Sequence, residues 1–129
     1  MTGILQIMSV QASTLPQGVF NTTNTFTIEN PSNGILEGKE AILKDEVLMK
    51  IALCESGGNQ FNKDGSILRG KENPQDIGKW QINEYWNGAK ARELGFDIYT
   101  EEGNYAMASW LYDQNGTKDW NWSKHCWNK

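Results

Sequence analysis

Leu48-Met49-Lys50-Ile51-Ala52-Leu53-Cys54-Glu55-Ser56-Gly57-Gly58-Asn59 carries a single carboxylate to the end of an apolar helix face. Upstream, Leu43, Val47, Leu48, Ile51 and Ala52 recur at three- and four-residue intervals, the spacing of one buried face. At 100° per residue, Glu55 falls within about 20° of Leu48 on that face. Gly57-Gly58 then supplies the residues that stop a helix. Burial and the negative end of the helix dipole both disfavour an ionised carboxyl there, so both raise its pKa. A carboxyl that keeps its proton near neutrality can serve as a general acid. The competing reading is a glutamate at a frayed helix end in water.

Working outward, the helix is expected to begin near Lys39 or Glu40 and to end at Ser56. Residues 1–38 are rich in Thr, Asn, Ser and Gly and read as an extended arm or linker. Thr25–Ile28 is the one short strand in it, closed by Pro31-Ser32-Asn33-Gly34. Residues 39–129 read as one domain, mainly α with a minor β excursion between the first and second core helices. The Asp64-Gly65 turn places a small hairpin over Phe61–Leu68. Asn62-Lys63-Asp64-Gly65 is not a calcium loop, because alignment on that glycine puts Lys71 where the bidentate glutamate belongs. Helices follow over Glu84–Leu94, stopped by Gly95, and over Glu101–Gln114, stopped by Asn115-Gly116. Thr100 is the expected cap of the latter. A last turn or helix spans Asn121–Cys126.

Composition narrows the function classes. The 129 residues carry a net charge of -4 with a pI near 5.0 and a mean hydropathy of -0.63. No Lys/Arg cluster is present to displace counterions, so neither nucleic acid nor an anionic membrane surface is an expected partner. No run approaches the roughly 18 apolar residues of a membrane span. Met1–Val10 lacks a basic start and is not a whole signal peptide, although Val10-Gln11-Ala12 resembles a cleavage site. There are six Trp, and four of them (Trp110, Trp120, Trp122, Trp127) fall near the C-terminus, where they suit core packing or stacking against sugar rings. Cys54 and Cys126 share no metal-ligand spacing with His125. They form either one bridge from the C-terminus to the helix of Glu55 or two unrelated buried thiols. A bridge implies an oxidising, extracytoplasmic setting.

The order of elements resembles the lysozyme-like superfamily, and within it the soluble lytic transglycosylase domain. The residues that carry the resemblance are ESGGNQFN (Glu55–Asn62), the Gly78-x-Trp80-Gln81-Ile82-Asn83 block, Asn104 with Ala108, and Cys126-Trp127. It covers residues 40–127. The resemblance implies a lysozyme-like helical domain that cleaves peptidoglycan glycan strands as a monomer, without cofactor or metal. Glu55 takes the role of catalytic acid at the β-1,4 bond between N-acetylmuramic acid and N-acetylglucosamine. In a transglycosylase the muramoyl 6-hydroxyl then closes onto C1. In a muramidase water attacks with help from a second carboxylate, for which Asp76 is the candidate. A module that binds the strands without turning them over is the third reading.

By the same resemblance, Gln81 bonds an acetamido group or the backbone around Glu55, and Asn104 lies in the cleft or caps its helix. Ser56 and Asn59 are close enough in sequence to steer Glu55 or a substrate hydroxyl. Trp80 is either core or sugar platform, and Asn83 caps the following helix or touches sugar. Trp110-Leu111 stands where the family often has Tyr-Leu, so the tyrosine bond to the catalytic acid falls to Tyr112 or Tyr85. Asp64 is read as turn chemistry only.

Overall fold

Gly57 and Gly58, at φ +66° and +80°, end the long first helix in the left-handed conformation that glycine adopts without steric cost. The amide of Gly57 bonds the Leu53 carbonyl at 3.1 Å, the single bond of an αL stop, and that of Gly58 reaches the Ala52 carbonyl at 3.0 Å. A computed structural model describes residues 31–129. The elements in order are α1 (Pro31–Ser56), β1 (Asp76–Ile77), β2 (Ile82–Asn83), α2 (Glu84–Glu93), α3 (Glu101–Asn115), a 3₁₀ segment (Lys118–Ser123) and α4 (Lys124–Trp127). The fold is mainly α, with the expected small antiparallel sheet between the first two core helices. Its register pairs Asp76 with Asn83 and Ile77 with Ile82. Leu36–Lys129 forms one compact unit. The strand at Thr25–Ile28 and the resemblance to a cleavage site at Val10–Ala12 lie outside the described residues.

Two expectations are corrected. First, α1 begins at Pro31, not at Lys39. Proline has no amide to lose in a first turn and its ring presets φ, so Pro31 opens the helix where a turn was expected. Second, the buried face of α1 begins at Val47. Leu43 is 59% exposed. The expected small hairpin over Phe61–Leu68 is present: Phe61 bridges Ile67 antiparallel, with the Asn62 amide on the Ser66 carbonyl at 2.8 Å and the Leu68 amide on the Gln60 carbonyl at 3.0 Å, and the two-stranded sheet follows at Asp76–Asn83. The Asp64-Gly65 turn is there, held by Asp64 accepting from the Ser66 amide at 3.0 Å. Ile67, on its far flank, packs against the core, and Arg69 bridges Ile77 of β1.

The core is built from Leu48, Ile51 and Ala52 of α1, Ile77 and Ile82 of the sheet, Trp80, Ala91 of α2, Met107, Ala108 and Leu111 of α3, and the C-terminal Trp120 and Trp127. Gly103 lets α3 start against the α2–α3 loop, because a Cβ there would overlap the Asp97 carbonyl. Lys44 of α1 pairs with Asp113 of α3 at 3.0 Å. Among the described residues, no helix is long and apolar enough to cross a membrane.

Cys54 and Cys126 are bridged, across 72 positions of sequence and a Cα separation of 6.0 Å. The bridge ties the C-terminal segment to the last turn of α1, beside Glu55. By chain entropy, closing a loop of this length is worth about 4 kcal/mol. Reduction, or Cys126→Ser, is therefore expected to lower the melting temperature clearly. An identical melting curve with and without reductant would contradict this.

Candidate active site

Glu55 sits in the last turn of α1, half-buried against the core residues that precede it. Its Oε1 accepts a short hydrogen bond from the Ser123 hydroxyl. Burial pushes the carboxyl above its ordinary value of 4.5. The Ser123 bond, which favours the ionised form, opposes this, and the negative charge of Asp76 adds to the rise. The helix C-terminus acts in the same direction as burial.

Asp76, on β1, is therefore close enough for its charge to be felt at Glu55. It is held there by Asn83 of β2, whose Nδ2 donates to Asp76 Oδ1 at 2.7 Å. Asn73 donates to the same oxygen at 3.3 Å. Asn83 uses its own Oδ1 to accept the Trp86 amide at 3.1 Å, which makes it the cap of α2. One asparagine thus starts the helix and anchors the second carboxylate.

Between the strands, the turn Ile77–Gln81 is fastened from three directions by side chains. Gln60 is buried, accepts the Lys79 amide at 2.7 Å and donates to the Ile98 carbonyl at 3.1 Å. Asn104 of α3 is fully buried, accepts the Trp80 amide at 3.0 Å and donates to the Ile77 and Ile98 carbonyls at 2.9 Å each. Ser56 donates to the Lys79 carbonyl at 2.7 Å. Gly78, at φ +72°, packs so closely on the Gln60 amide that a Cβ would overlap it. Gln81, at φ +51°, is the one non-glycine residue of positive φ among the described residues. Its side chain closes back on the Gly78 carbonyl at 2.8 Å. Such a conformation costs a few kcal/mol at most and persists where the surroundings hold it.

Several sequence-based assignments change accordingly. Trp80 is 2% exposed, with its indole donating to the Leu48 carbonyl at 2.8 Å, so it is core and not a sugar platform. Asn104 is a structural bolt and not a cleft residue. Ser56 and Asn59 fasten backbone: Asn59 donates to the Ser56 and Gly57 carbonyls at 3.2 Å each. Gln81 bonds its own turn, not the backbone around Glu55. Trp110 packs against the core. Neither tyrosine reaches the acid. Tyr85 is 67% exposed and packs edge-on against Trp86, while Tyr112 lines a pocket with Lys44 and Asp113 beside α1. A second pocket, over α2 and the α2–α3 loop, includes Arg92, Phe96 and Tyr99. Neither pocket contains Glu55 or Asp76.

Ser123 was absent from the sequence reading. The signal for it was the Cys54–Cys126 pair: the bridge brings Cys126 beside Glu55, and a residue three positions earlier lies one turn away. Comparisons with family models, curated proteins and solved structures find no match to this chain.

The raised Glu55 carboxyl has a consequence for stability. A group whose folded pKa exceeds its unfolded one contributes stability that is fully present below the unfolded value and is lost as pH rises through the folded value. Glutamine imitates the neutral form. Glu55→Gln is thus expected to melt close to the unsubstituted protein at pH below about 4.5 and above it near neutrality. Thermal melts across pH check this; a difference that does not vary with pH would contradict it.

Proposed function

We propose that this domain cleaves the glycan strands of peptidoglycan at the β-1,4 bond between N-acetylmuramic acid and N-acetylglucosamine, with Glu55 as general acid. The observation that carries the reading is a half-buried carboxyl at a helix end, bonded by the Ser123 hydroxyl, pushed up by burial and felt by the charge of Asp76. In the first step Glu55 gives its proton to the glycosidic oxygen as the C1–O bond breaks. In the transglycosylase route the muramoyl 6-hydroxyl attacks C1 and passes its proton to the Glu55 carboxylate. This yields a 1,6-anhydro end and restores the acid. One group serves both halves because giving up its proton leaves the carboxylate that takes up the next one.

The placement of Asp76 favours a second reading, hydrolysis. Anchored by Asn83 and near enough to couple with Glu55, Asp76 is suited to activate water or to stabilise positive charge at C1. The Cys54–Cys126 bridge supports an oxidising compartment, and with it the cell envelope or its exterior as the place of action. The net charge of -4 gives no electrostatic steering toward an anionic wall, so encounter is expected to depend little on salt.

Digestion of purified murein followed by mass spectrometry tests the proposal. Soluble fragments with ends one water lighter than hydrolysed ends are expected from the transglycosylase route. Glu55→Gln should lose at least about a hundredfold in rate while staying folded. Asp76→Asn should lose about as much only if the ends carry the extra water. Strand binding without release of fragments would overturn the enzymatic reading in favour of a binding module.

A further inference from the structure

The C-terminal segment meets the acid through more than its disulfide. Ser123 Oγ donates to Glu55 Oε1 and accepts from the Trp127 indole Nε1 at 3.0 Å. The same indole nitrogen also lies 3.2 Å from the Trp120 carbonyl, the other acceptor within reach of the serine hydroxyl at 3.2 Å. Trp120 and Trp127 are both buried, so indole, carbonyl and hydroxyl are presented from a packed frame. Cys126, adjacent to Trp127, fixes that frame to Cys54, adjacent to Glu55.

A hydroxyl has one proton to give. With Trp127 donating into Oγ and competing for the Trp120 carbonyl, the Ser123 proton is biased toward the carboxyl. Oε1 is then held as an acceptor in both charge states of Glu55. When the carboxyl is protonated, its own proton must reside on Oε2, which takes no hydrogen bond from the described residues.

We propose that Ser123, loaded by the Trp127 indole, is the positioning residue of Glu55: it fixes Oε1 as the carbonyl oxygen and leaves Oε2 to deliver the proton to the glycosidic bond. The proposal rests on the glycan-cleaving role of Glu55. A misaligned carboxyl rotates and shares its proton between two oxygens; an aligned one offers it at one place, in the geometry that a proton transfer needs. Asp76 is the other charged group felt at Glu55, and its charge favours the protonated carboxyl.

Removal of the hydroxyl has two effects of opposite sign. Ser123→Ala loses the alignment, so kcat on murein should fall about tenfold, the scale of one hydrogen bond to a charged group, with little change in KM. It also loses the donor that favours the ionised carboxyl, so the alkaline limb of the kcat profile should move to higher pH. Ser123→Thr should restore both. Independently of turnover, the margin by which Glu55→Gln out-melts its parent near neutrality should widen, and level off at a higher pH, when both carry Ser123→Ala. An unmoved limb, an unchanged melting margin, or a loss of rate that threonine does not rescue would overturn the positioning role. If the unsubstituted protein releases nothing from murein while that margin still widens, Ser123 holds the carboxyl as described and only the glycan-cleaving assignment fails.

Discussion

The turn from Ile77 to Gln81 lies inside the protein, and its backbone polar groups have to be satisfied there. A buried amide or carbonyl left without a partner costs on the order of 1–3 kcal/mol, and several would fall together. Gln60, Asn104, Ser56 and the Trp120 indole meet them one by one. These four groups come from the loop after α1, from α3, from the last turn of α1 and from the 3₁₀ segment. Every element that touches the site is therefore fastened to one short turn. Fixing the turn fixes β1, and with it Asp76. It also fixes the end of α1, and with it Glu55.

The acid itself is held between opposed influences. Burial, the helix end and the charge of Asp76 drive its proton on, while the Ser123 hydroxyl draws it off. The disulfide belongs to the same arrangement, because it joins the segment carrying Ser123 to the turn carrying Glu55.

Much of this was legible in the residues. The three- and four-residue spacing placed Glu55 on the Leu48 face, Gly57-Gly58 marked the end of α1, and Thr100 was the expected cap of α3, accepting from Gly103 at 3.0 Å. Asn83 as a cap and Asp64 as a turn residue followed from short-range chemistry, which local sequence records well. What local sequence does not record is which polar side chain turns inward. Asn104, Gln60 and Trp80 are ambiguous one at a time, since each type serves equally in a cleft or as a buried bolt. Their roles are set by a turn distant in sequence. Ser123 escaped for the same reason: its partner lies 68 positions away. Pro31 misled in the other direction, because the same ring that ends a strand also opens a helix.

The most direct measurement is a carbon NMR titration of the Glu55 side-chain carboxyl, assigned by its disappearance in Glu55→Gln. A midpoint clearly above the ordinary 4.5 is expected, because burial and the Asp76 charge outweigh the Ser123 bond. A midpoint at or below 4.5 would mean that the carboxyl is ionised when it meets a substrate at neutral pH. It would then have no proton to give.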